Sequence, residues 1–520
     1  MFSVILCIRK SGFHIDEIYT FGLSNSHFAP FLNNLFGGSL TDNVVTKQDF
    51  LNYLTVAPNS RFDFASVFYN QSIDVHPPLH YCIINTISSL FTGVFSKWIG
   101  LSVNLVFQTV TLVLIYKTAL LLKCGRRISA LSVAVYGLSQ IALSSVLMIR
   151  MYALSTMLTA LLVYVTVKVN IEARNYRYFF IVLTVYLGAM THYNFIIFAF
   201  FLTVAYDLYL VINKKLPQLI KFSVAALTGI ALMLLSFPYV IDQFTAKKLV
   251  SGETALSFLL SISKWFGKIG FYSAEFVFGI PLLFLLFAEA VFIIILSEKK
   301  KKSLARCFNS VTFVIAVAML LSFLCIAITS PAHTARYICH LVPVAAILLA
   351  KALKKASDEI YDEHLVKYKA GIKRLCVPAV LVFGIICSSV LITPNYIYSE
   401  HKEFDRKAAM YSSSPCVVFS KEEVNCLTNN TPQLINFDTL LITNRVTSDK
   451  LKEYIAEHNA KSLVVCIEEK AYTGNTSFLP EEILSEFTEA FPSFSNPQPL
   501  YTKGNGGAGT YSVYILSKKP

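Results

Sequence analysis

The stretch Trp98–Leu122, WIGLSVNLVFQTVTLVLIYKTALLL, decides the fold class of this chain. Its only charged residue is Lys117, and as an α-helix it is long enough to cross about 30 Å of hydrocarbon. A helix satisfies its own backbone hydrogen bonds, which lipid cannot do for it. We therefore predict a membrane-spanning helix here.

Similar apolar runs recur along most of the chain. Of its 520 residues, 55% are hydrophobic and 15% are charged, and the mean hydropathy of +0.56 is too high for a water-soluble domain. Residues 1–8 are apolar but too short to cross, so they count as a partial first span, and we expect about eleven spans in all. The complete predicted spans are 97–122, 128–147, 152–168, 178–191, 194–212, 222–241, 276–297, 308–328, 338–351 and 375–393.

The net charge of +13 is divided among short basic clusters between these runs. A nucleic-acid-binding protein gathers its basic residues on one face, so we expect no nucleic acid partner. The clusters fall in every second connection, which the positive-inside rule assigns to the cytoplasm. They are Lys123 to Arg127, Lys168 to Arg177, Lys214 to Lys221, Lys299 to Arg306 and Lys351 to Arg374.

This charge pattern places residues 9–96, the first outer loop, and everything after residue 394 on the outer side of the membrane. Residues 77–95 are apolar, but a crossing there would move the first basic cluster outside, so we predict a helix at the outer interface. We further predict a membrane domain over 1–394 and an extracytoplasmic α/β domain over 395–520.

The α/β prediction rests on a change of pattern after residue 394, where apolar runs shrink to strand length and alternate with helix-like segments. The predicted strands are Cys416–Phe419, Thr439–Thr443, Leu463–Ile467 and Tyr511–Leu516. The predicted helices are Ser448–His458 and Pro480–Phe491.

Polar residues of the first outer loop are candidates for chemistry. Asp16 and Glu17 are adjacent carboxylates just past the membrane edge. The run NQSIDVHPPLHY, residues 70–81, carries Asp74, His76 and His80, and its two prolines fix a rigid entry into the next helix. The alternatives are solvated surface acids or a helix-start cap at Asp16 and Glu17, and an ordinary helix N-terminus at Asp74.

Three short outer connections each place a cationic or histidine side chain beside a tyrosine. Arginine in a membrane costs about 2.5–3.5 kcal/mol unless it is paired or hydrated. We therefore predict that the arginines face a wet cavity or an anion, with snorkelling to the interface as the alternative. The connections are Arg150-Met151-Tyr152, Thr191-His192-Tyr193 and Thr334-Ala335-Arg336-Tyr337.

Carboxylates and cations on one side of a membrane bundle suit the transfer of a group from a lipid phosphate. An aspartate can take the proton from an acceptor hydroxyl, and arginines can stabilise the charge that develops on the departing phosphate. The planar guanidinium also matches the geometry of phosphate oxygens.

The order of these motifs resembles the GT-C superfamily of integral-membrane glycosyltransferases, in particular the bacterial relatives of protein O-mannosyltransferases and lipid A aminoarabinose transferases. The resemblance covers roughly residues 10–350. The motifs that carry it are Asp16-Glu17, His76-Pro77-Pro78-Leu79, Arg150-Met151-Tyr152 and Arg336-Tyr337.

The resemblance implies an all-α polytopic bundle, a polyprenyl-phosphate-linked sugar donor and an inverting displacement on the outer face of a bacterial cell membrane. Asp16 would act as the general base or would orient the acceptor, with Glu17 as the second catalytic residue. The acceptor would be a glycan, a lipid or a protein. The expected substrate-binding residues are Asp74, His76, His80, Arg150, Tyr152, His192, Arg336 and Tyr337.

Some branches of the family require a divalent cation. This sequence lacks an obvious DxD pair, so we expect no essential metal and name no metal ligand. The sequence departs from the family pattern at its short first span and at Arg150, where some relatives place a second carboxylate.

Two other functions compete with glycosyl transfer. A transporter or flippase for a lipid-linked glycan would need polar residues along the full depth of the bundle, whereas here they concentrate on one side. The third interpretation is an inactive scaffold that presents the C-terminal domain.

Overall fold

A computed structural model describes residues 2–245, 262–278, 310–330, 333–364, 394–471, 475, 477–504 and 509–518. By packing, the chain divides into two units. Unit 1 consists of Met1–Asp74, Tyr81–Gly100 and Tyr396–Pro520, and unit 2 consists of Val75–His80 and Leu101–Asn395. Unit 1 thus combines most of residues 9–96, the predicted first outer loop, with the C-terminal segment. The division into continuous domains at 394/395 stays a prediction.

Apolar helices make up unit 2, as the sequence predicts. Among the described residues, five helices are long and apolar enough to cross a membrane, or up to six if one bent pair is a single span. The helices are α6 Lys97–Leu121, α7 Arg126–Gly137, α8 Gln140–Leu147, α9 Tyr152–Ile171, α10 Asn175–Ala189, α11 Tyr193–Ile212, α12 Leu216–Ser236, α13 Val240–Thr245, α14 Ile262–Phe278, α15 Val311–Thr329 and α16 Val342–His364.

The span predicted over 128–147 is two helices rather than one. Helices α7 and α8 meet at a break with a bend of 56°. Ser139 begins α8 as its N-cap, because its hydroxyl accepts a hydrogen bond from the backbone N–H of Ala142 (3.3 Å). A new helix start inside an apolar run therefore divides the predicted span.

Two other differences concern the later spans. Helix α14 begins at Ile262, where the sequence predicts no helix until 276. The rest of the span predicted over 276–297, the span over 375–393 and the basic cluster Lys299 to Arg306 lie outside the described residues.

The N-terminal part of the chain, up to Leu90, folds into five short helices, and several of them begin with a side-chain cap. The side chains of Thr46 and Asp63 accept backbone N–H groups at the starts of α3 and α4. The helix predicted over 77–95 is present as α5, and its interfacial position stays a prediction. The helices are α1 Phe2–Arg9, α2 Ile15–Asn25, α3 Lys47–Leu54, α4 Phe64–Ile73 and α5 Leu79–Leu90.

A six-stranded sheet forms the other part of unit 1, in the order β1-β3-β2-β4-β6-β5. Strands β2, β3 and β4 are mutually parallel, and the outer pairings are antiparallel. The strands are β1 Val44–Thr46, β2 Cys416–Phe419, β3 Thr439–Thr443, β4 Ser462–Lys470, β5 Phe494–Gly504 and β6 Thr510–Lys518.

Helices connect the parallel strands, as parallel pairing requires. Helices α18 and α19 join β2 to β3 and β3 to β4. The predicted α/β pattern is confirmed for four strands and two helices, and β5, α17 and α18 are additional. The helices are α17 His401–Met410, α18 Glu423–Leu434, α19 Asp449–His458 and α20 Pro480–Ala490.

The edge strand β1 comes from the first outer loop, about 400 residues before its partner. Val45 pairs with Leu440 and is fully buried, whereas its neighbour Val44 is 43% exposed. Backbone bonds extend the pairing on both sides, from Asp42 N to Ile442 O (2.7 Å) and from Lys47 N to Asp438 O (3.1 Å). This strand therefore attaches the loop to the sheet.

We predict that Val45→Asp releases the first outer loop from the sheet, because it buries a charge with no partner. Limited proteolysis of the purified protein should cut residues 26–60 faster, and the apparent unfolding temperature should fall. Val44→Asp is the matched control, since its side chain points to solvent and should change neither. Equal behaviour of the two variants would contradict the attachment by β1.

Candidate active site

The predicted site residues are found in both units. Asp16, Glu17 and Asp74 belong to unit 1. The remaining seven belong to unit 2, and they are His76, His80, Arg150, Tyr152, His192, Arg336 and Tyr337.

Asp16 and Glu17 occupy the first turn of α2, where carboxylates favour the positive end of the helix dipole. His14 is the N-cap, and its Nδ1 accepts a hydrogen bond from the backbone N–H of Asp16 (3.1 Å). In return, the backbone N–H of His14 donates to Glu17 Oε2 (2.6 Å). This reciprocal capping box fixes where the helix begins.

Glu17 is fully buried and forms an ion pair with Lys10, which is buried as well (Nζ to Oε2, 3.0 Å). Burial lowers the pKa of Lys10, and the Glu17 carboxylate opposes that shift. Lys10 also donates to the carbonyl of Tyr396 (2.7 Å). Asp16, in contrast, keeps 18% of its side chain exposed, so it is the member of the acidic pair that a substrate can reach.

Asp74 ends α4 rather than beginning the helix after the two prolines. Its backbone N–H donates to the carbonyl of Asn70 (3.1 Å). The amide of Asn70 in turn donates to the carbonyl of Ser26 (3.0 Å), which joins α4 to the segment after α2. Asp74 is therefore the C-cap of α4 and lies five residues before α5 begins.

Hydrogen bonds to backbone carbonyls hold the motif-bearing turns of unit 2. The side-chain amide of Asn104 donates to the carbonyls of Val146 (3.0 Å) and Met148 (2.8 Å), which holds the turn before Arg150. Leu79, the last residue of the HPPL motif, donates from its backbone to Met190 O (3.0 Å), just before His192. Each functional turn is therefore fixed by a helix other than its own.

The side chains on these turns form one cluster, which we call the arginine–histidine cluster. Arg150 Nη2 lies 3.5 Å from His76 Nδ1, and the rings of His76 and His192 are 6.1 Å apart. Tyr152 lies 5.7 Å from His192, ring to ring, and the guanidinium of Arg336 sits 6.0 Å from the Tyr152 ring. Five of the predicted residues thus lie in one continuous set.

Tyr337 and His80 extend this cluster at its edges. The guanidinium of Arg336 lies 5.8 Å from the ring of Tyr337, and Asn194 Nδ2 donates to the backbone carbonyl of Tyr337 (3.0 Å). Burial, and then the charge of Arg150, lower the pKa of His80 to about 3. His80 is therefore neutral at physiological pH.

The cluster combines burial with fixed positive charge. Arg150 is 5% exposed and His192 is 7% exposed. Burial lowers the pKa of His192 well below its usual value, and the neighbouring His76, His340, Arg150 and Arg336 lower it further. The arginines therefore supply the positive charge, while His192 is a neutral hydrogen-bonding group.

His340 is a neighbour of this cluster that the sequence analysis missed. It is 2% exposed, and its Nε2 has no hydrogen-bond partner among the described residues. Two short 3₁₀ turns, Ala335–Tyr337 and Cys339–Leu341, place it one turn after Arg336. A histidine inside the apolar run RYICHLVP was the available signal.

In the part of the chain that the structure describes, no group of three or more His, Cys, Asp or Glu side chains is arranged to hold a metal ion. The absence of an essential metal stays a prediction.

Residues 75–241 match the sequence profile of the family described as dolichyl-phosphate-mannose-protein mannosyltransferase. The match covers about a third of the chain, so it shows a similarity to this family over residues 75–241. The matched segment includes His76, Arg150 and His192 of the cluster, whereas Asp16 and Arg336 lie outside it. No curated protein sequence matches the chain.

Solved structures similar to this chain include two of ArnT from Cupriavidus metallidurans. The one bound to undecaprenyl phosphate has 10% identity and a TM-score of 0.49, and the match covers 99% of this chain and 96% of that chain. The structure of the apo state has 11% identity and a TM-score of 0.45, and the match covers 85% of this chain and 87% of that chain. A third similar structure is the archaeal oligosaccharyltransferase AglB from Archaeoglobus fulgidus in complex with an inhibitory peptide and a dolichol-phosphate. It has 9% identity and a TM-score of 0.43, and the match covers 84% of this chain and 66% of that chain.

We predict that Lys10→Met destabilises the protein by about 3–5 kcal/mol, because it leaves the Glu17 carboxylate buried without its partner. The double variant Lys10→Met/Glu17→Gln should recover part of that loss. Apparent unfolding temperatures in detergent measure both. The control is Lys450→Met, in the solvent-exposed Lys450–Glu453 pair, which should lower the stability very little. If the double variant is no more stable than Lys10→Met, the buried pair is not coupled.

Proposed function

We propose that this chain moves a sugar from a polyprenyl-phosphate-linked donor to an acceptor hydroxyl, with inversion, on the outer face of the membrane. The observation that carries the proposal is the arginine–histidine cluster, in which Arg150 and Arg336 lie with His76 and the neutral His192. The family profile supports the donor class, because its description names a dolichyl-phosphate sugar.

The arginine–histidine cluster suits the leaving group. As the bond between the anomeric carbon and the phosphate oxygen breaks, its electron pair passes to the lipid phosphate, which gains negative charge. Arg150 and Arg336 can stabilise that charge from fixed positions, where no reorganisation is needed during the reaction. The buried position of Arg150 strengthens its interaction because the local dielectric is low.

The neutral histidines have a different role in this scheme. His192 can donate a hydrogen bond to a phosphate oxygen or a sugar hydroxyl without adding a full charge, as can His80. The binding site would therefore keep its charge across the physiological pH range, because arginine does not titrate there.

Asp16 is the proposed general base. The acceptor oxygen attacks the anomeric carbon from the face opposite the phosphate, and its proton passes to the Asp16 carboxylate. Partial exposure makes Asp16 accessible to an acceptor, while the buried Glu17 holds the helix start through Lys10 and His14. We therefore assign Glu17 to positioning rather than to proton transfer.

We propose that the acceptor is a glycan, a lipid or a protein. We also propose that the C-terminal α/β part of unit 1 is extracytoplasmic. The positive-inside distribution of Lys and Arg supports this orientation. A bacterial cell membrane is the proposed location.

We predict that Asp16→Asn lowers the transfer rate by about 10²- to 10⁴-fold, the usual contribution of a general base. The variant keeps size and hydrogen bonding, so membrane insertion and donor binding should persist. Transfer from a radiolabelled polyprenyl-phosphate sugar measures the effect. Asp449→Asn, at a 90% exposed side chain, is the control. Full activity of Asp16→Asn would refute its role as the base.

We predict that Arg150→Gln and Arg336→Gln each lower kcat/KM for the donor by about 10²- to 10³-fold, because each removes a fixed charge at the departing phosphate. Lysine at either position should restore only part of the lost kcat/KM, since an ammonium group lacks the planar geometry of a guanidinium. Arg174→Gln, at a 59% exposed side chain in another connection, is the control. Unchanged donor kinetics in both glutamine variants would rule out phosphate recognition by the cluster.

A further inference from the structure

We propose that His14 is a positioning residue for Asp16 and that its protonation switches transfer off at acidic pH. The proposal rests on the proposed function and deepens it, because it names the group that controls the base.

The choice of N-cap at α2 is the first observation. Helices α3, α4 and α8 are capped by Thr46, Asp63 and Ser139, which are among the usual N-cap residues and stay in one charge state near neutral pH. Helix α2 is capped by a histidine instead, and so is α11, by His192. A titratable N-cap therefore sits two residues before the proposed base.

The hydrogen bond at this cap fixes the charge state of His14. Its Nδ1 accepts the backbone N–H of Asp16 (3.1 Å), and a ring nitrogen can accept only when it carries no proton. The ring is therefore neutral in this arrangement, with its hydrogen on Nε2. In that state the first turn of α2 holds Asp16 in place, and the cap adds no positive charge.

Protonation of Nδ1 reverses both effects. The backbone N–H of Asp16 loses its acceptor, and the new N–H lies near Asp16 Oδ2, which is 3.6 Å from Nδ1. The imidazolium and the carboxylate would then form an ion pair, which makes Asp16 a weaker base. Both side chains are largely buried, at 19% and 18% exposed, so solvent screens this pair only in part.

Several other charged and aromatic groups lie near His14. Glu17 is already paired with Lys10, whose own backbone carbonyl accepts a bond from Lys97. The ring of Tyr396 meets His14 edge to face at 5.9 Å. Tyr398 and His401 stack on each other, and His401 lies against the backbone of Gly12.

The first arm of the test is the pH dependence of transfer by the full-length protein in wild type, His14→Asn and His14→Ala. Asparagine is a good N-cap that does not titrate. We expect His14→Asn to keep its rate at neutral pH and to move the acid limb at least about 0.5 pH unit lower. His14→Ala loses the cap and should be slower than His14→Asn at neutral pH. An unshifted acid limb in His14→Asn would overturn the proposal.

The second arm does not depend on transfer. NMR of histidine-labelled protein follows the titration of His14, and the His14→Asn spectrum identifies its signal. We expect Asp16→Asn to lower the titration midpoint by about 0.5–1 pH unit, because the carboxylate that stabilises the imidazolium is gone. An unchanged midpoint would show that the two side chains are not coupled. If wild type transfers no sugar, the proposed function fails while this arm still decides the coupling.

Discussion

The buried ion pair between Lys10 and Glu17 is the interaction on which the arrangement around Asp16 depends. It lies where the chain leaves its first apolar helix, and it joins the start of α2 to the segment that begins at Tyr396. Two charges removed from water need each other and their remaining hydrogen bonds. The backbone N–H of His14 and the carbonyl of Tyr396 supply those bonds. The acidic pair therefore divides into the buried Glu17 and the more accessible Asp16, which we propose as the base.

A different constraint organises unit 2. Cationic side chains in an apolar bundle must find polar partners or an anion. Arg150 and Arg336 lie among histidine and tyrosine side chains, near turns whose backbone carbonyls accept hydrogen bonds from the side chains of Asn104 and Asn194. Together with the profile match over 75–241, this arrangement supports our proposal that the two arginines recognise a lipid phosphate.

Sequence patterns predicted the parts of this structure that local physics controls. The apolar strands Cys416–Phe419 and Thr439–Thr443 were predicted with the bounds that the structure has, because short buried runs between polar turns have few alternatives. Strand β1 was not predictable, since its three residues pair only with a strand far along the chain. Helix α18 was missed because Pro432 and several asparagines lie inside it. The Arg-Tyr pairs of the site were found from their place in short connections, whereas Lys10 and His14 gain their roles only through folding.

The most direct test of the central claim is whether the purified chain, in vesicles with a radiolabelled polyprenyl-phosphate sugar and a hydroxyl acceptor, releases free polyprenyl phosphate. Glycosyl transfer breaks the bond between sugar and phosphate, so one polyprenyl phosphate should appear for each sugar attached to the acceptor. Movement of the intact labelled lipid across the bilayer, with no polyprenyl phosphate released, would contradict the account and identify a transporter.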